Sequence, residues 1–192
     1  MTTSTSSSRT AALGLVAGAI LLAVVAAFAI FLPKAHGSEI ELPETLPGGL
    51  ERVVQPEDSE FDESEIEGSA ADALAELYDA DATVGDYATA DRSAQVTVTV
   101  LDVPAGPFLP TGPVPDPETY GYARGATELV TVGDAICSLN YAQPVPSGQP
   151  VDEDEQPAGA FCQLGSGERT FLASGSGVAP DAIVDILESL AD

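Results

Sequence analysis

Residues Ser93–Val103, SAQVTVTVLDV, alternate Val96, Val98 and Val100 with Thr97 and Thr99. Successive side chains of a β-strand point to opposite faces of its sheet, so this stretch predicts a strand with a buried valine face and a wet threonine face. Immediately upstream, ATVGDYATA (Ala82–Ala90) reads as its neighbour, joined through the turn DRS (Asp91–Ser93). Two further pairs follow. TELVTVGDAICSLNYA (Thr127–Ala142) turns at Gly133-Asp134, and GAFCQLGSGERTFLASG (Gly159–Gly175) turns through GSGE.

Helical periodicity flanks these strands. In SAADALAELYDA (Ser69–Ala80), Ala70, Ala73, Leu74, Leu77 and Tyr78 share one face at helical spacing. In APDAIVDILESLAD (Ala179–Asp192), Pro180 opens a helix with Asp181 and Asp185 near its positive end, and Ile183, Ile186, Leu187 and Leu190 form an apolar stripe. The order helix, about six strands, helix predicts an α+β domain: an antiparallel sheet covered by helices at the start and end of the domain. No period of a repeat array recurs.

Ahead of that domain, residues 1–10 are polar and residues 11–32, AALGLVAGAILLAVVAAFAIFL, carry no charge. As a helix the apolar run would reach about 33 Å against a hydrocarbon core of about 30 Å, which favours a transmembrane helix. A cleaved signal peptide is the alternative, because Ala27-Phe28-Ala29 and Ala35-His36-Gly37 resemble cleavage sites, although secretory apolar cores are shorter. Residues 33–68 hold 11 acidic and two basic residues among prolines and glycines and read as an acidic disordered stalk. Within it, ELPETLPGGL (Glu41–Leu50) imitates a cell-wall sorting signal. It fails as one, because Leu46 stands where glycine is required and the apolar segment precedes the motif, and it reads instead as the hinged lower part of the stalk. Residues 69–192, with 20 acidic and three basic residues, are the expected extracytoplasmic domain.

The 31 acidic and six basic residues give a net charge of −25, which repels phosphate backbones and leaves no basic stripe, so no nucleic-acid partner is expected. Cys137 and Cys162 fall in different predicted strands on core-facing positions, a spacing that suits a cross-strand disulfide in an oxidising compartment. Two free buried thiols are the alternative. Redox work prefers C-x-x-C, and metal binding would need more His or Cys ligands.

The single histidine, His36, sits in the segment beside the apolar run, which removes Ser-His-Asp and Cys-His schemes. GSGERTF and SGSGVAPDA lack the lysine and spacing of phosphate loops. VDEDEQ (Val151–Gln156) lacks the glycine and closing glutamate of a calcium loop and reads as a solvated acidic loop. The expectation is therefore a protein that is not an enzyme, with no catalytic residue, cofactor or metal.

One surface stands apart. Pro104, Pro107, Pro110 and Pro113 recur every third residue, matching the three-residue turn of polyproline II, with Phe108 and Leu109 beside them and Tyr120 and Tyr122 just after. These eight residues form a candidate partner ridge. A crossover loop packed over the open sheet face is the other reading of the same residues.

The alanine-rich apolar run, the single lysine, LPETLPGGL and ELVTVGDAICSLNY together resemble single-span extracytoplasmic proteins of actinobacteria, many of them without an assigned function. The resemblance implies an envelope location and nothing catalytic; a halophilic archaeal source would also account for the acidity. The expected function is a membrane-tethered interaction module in the cell envelope. Its partners would be the lipid bilayer through residues 11–32 and an envelope protein or a second copy. A small-ligand or cation-binding extracytoplasmic domain is the alternative.

Overall fold

A computed structural model describes residues 40–54, 63–108 and 116–192, and the folded unit spans Glu39–Asp192. The chain runs β1 (Thr45–Leu46), β2 (Leu50–Arg52), helix α1 (Glu63–Tyr78), β3 (Ala82–Ala88), β4 (Gln95–Leu101) and a 3₁₀ turn (Pro117–Tyr120). It continues through β5 (Tyr122–Arg124), β6 (Thr127–Val132), β7 (Ala135–Asn140), β8 (Val145–Pro146), β9 (Gly159–Ser166), β10 (Arg169–Ser176) and helix α2 (Pro180–Ala191). This is an α+β fold. Among the described residues one antiparallel sheet of eight strands runs β1-β2-β3-β4-β10-β9-β7-β6, and β5 pairs with β8 in a separate ribbon. The sheet exceeds the expected six strands because it also recruits residues on the amino-terminal side of α1.

The valines of β4 decide which face is the core. Val96, Val98 and Val100 lie opposite Gly175, Ala173 and Phe171 of β10, which in turn oppose Ala160, Cys162 and Leu164 of β9. All three valines are buried, and α2 closes this face with Ile183, Val184, Ile186 and Leu187. Each such side chain contributes about 1.5–3 kcal/mol on burial. Pro180 in the first turn fixes a helical φ and Asp181 faces the positive helix end, so α2 starts where the sequence places it.

Two expectations are corrected. The first concerns the stalk. Residues 40–54 belong to the sheet: Leu42, Leu46 and Leu50 are buried while Glu41, Glu44 and Glu51 point outward. Thr83 Oγ1 donates to the Ile40 carbonyl at 3.0 Å and Tyr87 Oη to the Pro43 carbonyl at 2.7 Å. Gly85 admits this segment, because a Cβ there would stand 2.7 Å from Leu42 Cδ1. Gly48 and Gly49, at φ 85° and 74°, turn β1 into β2, so LPETLPGGL is a hairpin and not a hinge. Net acidity along the segment hides this strand pair, because the pleat turns its leucines inward and its glutamates outward.

The second correction concerns α1. It begins at Glu63, six residues before the expected start, and Leu77 (73% exposed) and Tyr78 (50%) face solvent. Glu67 is buried, and Ala70, Ala71, Leu74 and Ala75 are half-buried. The rotation is set by Glu67: its Oε1 accepts the Asp86 main-chain N–H at 2.7 Å and its Oε2 pairs with Arg52 Nη2 at 2.6 Å. An anchored carboxylate at the sheet edge outweighs the burial of two apolar side chains near the helix end.

The polar tail 1–10 and the apolar run 11–32 lie outside the described residues, as do residues 33–39 and 55–62 of the expected stalk. Among the described residues no helix is long and apolar enough to cross a membrane.

Candidate functional site

The core face of the sheet is covered by α2, and the opposite face is its outer face. On that outer face the proline-rich segment is partly the packed crossover. The Val103 carbonyl accepts from Thr170 Oγ1 at 2.8 Å, the Gly106 carbonyl accepts from Gln163 Nε2 at 2.8 Å, and Phe108 packs on Phe161 with ring centroids 5.3 Å apart. Pro104 and Pro107 remain exposed, Phe108 is half-buried, and Leu109, Pro110 and Pro113 lie outside the described residues. The candidate ridge is therefore not one continuous surface in the described part of the chain.

Tyr120 and Tyr122 belong to a different feature. Asp116 Oδ1 accepts the Glu118 N–H at 3.2 Å and Pro117 opens the 3₁₀ turn, which ends on Gly121 at φ 78°. This short turn presents Tyr120, 66% exposed, and the β5–β8 pairing holds Tyr122 beside it. Together with Pro117, Ala126, Thr127 and Pro144 they line a groove of about 310 Å³. Its walls are mainly apolar, and Asp116 and Glu118 are exposed on the turn that forms its side.

The ribbon that carries Tyr122 is fastened by Arg124, a residue that sequence reasoning missed. Its guanidinium carbon lies 3.8 Å from the Tyr141 ring centroid, Nη2 pairs with Glu155 at 2.6 Å and Nη1 donates to the Asp152 carbonyl at 3.3 Å. The hydrogen bond to Glu155 raises the Arg124 pKa, whereas burial pushes the Tyr141 hydroxyl up. VDEDEQ is thus tied back to β5 through Glu155. Among the described residues no three His, Cys, Asp or Glu side chains converge as metal ligands. The available signal was that Arg124 is one of three basic residues after Ser69, set among tyrosines, glycines and alanines.

Cys137 and Cys162 form a disulfide between register partners of β7 and β9 and are fully buried. The bond excludes the free-thiol alternative, and its burial keeps attacking thiols away, as suits a structural staple.

A second concavity, of about 390 Å³, lies where β3, β4 and β10 run side by side. Asp86, Arg92, Gln95, Thr97, Ser174 and Ser176 border it, and Thr97 Oγ1 donates to Asp86 Oδ1. No protein-family model, no curated protein and no solved structure matches the chain.

Proposed function

We propose that this chain is a non-catalytic extracytoplasmic module, held at a membrane by residues 11–32, that docks a protein partner of the cell envelope through the Tyr120–Tyr122 groove. The observation that carries the reading is an exposed aromatic and proline-lined groove beside a ribbon fastened by Arg124. Such grooves receive extended apolar segments, and pre-ordered aromatics lose little entropy on contact. The net charge of −25 and the carboxylates of Asp116 and Glu118 favour a partner carrying basic residues. The buried disulfide supports an oxidising compartment, and the composition of the apolar run supports the tether.

The test is a photo-crosslinking amino acid in place of Glu118 in the full-length chain, within membranes of its source. One discrete protein adduct is expected, lost in Tyr122→Ala. No adduct, or one that survives that change, overturns the groove. The small-ligand alternative is favoured by a separate observation, the polar concavity beside β4.

A further inference from the structure

The concavity over β3, β4 and β10 is built by sheet register. Asp86 lies opposite Thr97 and Thr97 opposite Ser174, while Gln95 lies opposite Ser176. Strands are about 4.8 Å apart, so the row from Asp86 to Ser174 covers about 10 Å. The volume of about 390 Å³ falls within the range of small-molecule sites.

Its chemistry is specific. Asp86 is held twice, its carboxylate by the Thr97 hydroxyl and its main-chain N–H by Glu67. The side chains of Arg92, Gln95, Ser174 and Ser176, by contrast, make no hydrogen bond to another described residue. A carboxylate acceptor, an amide, two hydroxyls and a guanidinium donor thus border one hollow, all but Arg92 on strands whose backbones the ladder fixes.

Elimination narrows the ligand. An apolar molecule would strip water from these groups without replacing its hydrogen bonds. A metal ion would find one carboxylate and a guanidinium. An anion approaches a chain of net charge −25 through a repulsive field, with Arg92 alone to receive it. A neutral molecule dense in hydroxyls can donate and accept at every position and so replace the hydration of these groups. We propose that this hollow binds a neutral polyhydroxylated ligand, one or two sugar rings long, independently of the tyrosine groove.

The experiment is ligand-observed saturation-transfer NMR and calorimetry on the full-length chain with three neutral probes, maltotriose, mannotriose and triacetylchitotriose. Saturable binding of at least one is expected. The exposed double variant Gln95→Ala/Ser176→Ala should weaken it about tenfold, as two lost hydrogen bonds imply, with Tyr120→Ala unchanged. Arg92→Asn, which tolerates the positive φ of that turn, supplies a second variant and should also weaken binding. The proposal is overturned when none of the three probes binds at about 10 mM, a concentration well above that needed to detect a weak site. It is equally overturned when the double variant and Arg92→Asn bind as the unaltered chain does.

Discussion

Cys137 and Cys162 stand directly opposite one another on β7 and β9, their Cα atoms 4.0 Å apart, joined by a disulfide within the core that α2 closes. The cysteines are 25 positions apart, and closing a loop of that size contributes about 3.5 kcal/mol in the chain-entropy model. Cys137→Ala/Cys162→Ala is expected to lose about that much in urea unfolding, and alkylation of the unaltered chain, denatured but not reduced, should label neither cysteine. Equal stability of the variant would show that the bond does not constrain the unfolded chain.

Leu50 separates a stalk from a sheet. It is 2% exposed, so Leu50→Ala should cost about 2–4 kcal/mol through lost burial and a cavity. In a solvated stalk the same change would leave the unfolding midpoint in place.

Glu67 fixes the rotation of α1 through Arg52 and the Asp86 amide. Glu67→Ala leaves the partly exposed Arg52 guanidinium and that amide without their acceptor, a loss of about 2–3 kcal/mol. Glu67→Gln keeps a neutral acceptor and should lose less. Unfolding curves of the two variants read this order directly, and equal stability would remove the anchoring role.

Burial pushes the Tyr87 hydroxyl above its ordinary pKa of about 10. A group with a raised folded pKa contributes stability that is fully present below its unfolded value and is lost as pH rises through the folded one. A late component is therefore expected in the alkaline phenolate absorbance titration, together with alkaline destabilisation, both reduced in Tyr87→Phe. An unchanged titration in that variant would contradict the buried hydroxyl bonded to Pro43.

Asp91 is held at about 2 by the Ser93 hydroxyl and amide and by the Thr89 hydroxyl. Its folded pKa is depressed, so its contribution is present above the ordinary carboxylate range and is lost as pH falls through about 2. Carboxyl-carbon NMR should give that midpoint, and Ser93→Ala should raise it. A midpoint already near the ordinary value in the unaltered chain would break the link.

The strands of the three central hairpins were legible because period-two alternation and turn residues report local geometry. Val96, Val98 and Val100 announce the buried face without any partner being known, and Ile183, Ile186 and Leu187 announce α2. The cystine was legible for the same reason, since each cysteine occupies a core-facing position of its own strand. The amino-terminal hairpin was not legible. Its strands have two and three residues, too few for a period, and its leucines are buried only because Thr83, Gly85 and Tyr87 of β3 receive the chain.

The two concavities mark the same division. Sequence placed Tyr120 and Tyr122 near a proline-rich run, but only the β5–β8 ribbon and the Arg124–Tyr141 stack bring Pro144 across to make a groove. Nothing in the order of residues joins Asp86 and Thr97 to Ser174, which is 77 positions beyond Thr97; the pairing of β4 with β10 does. Local periodicity and composition thus determined the strand faces, the acidic surface, the apolar run and the place of each cysteine. Which distant strands became neighbours, and therefore which polar side chains share a hollow, was decided by the common apolar face those strands could bury together.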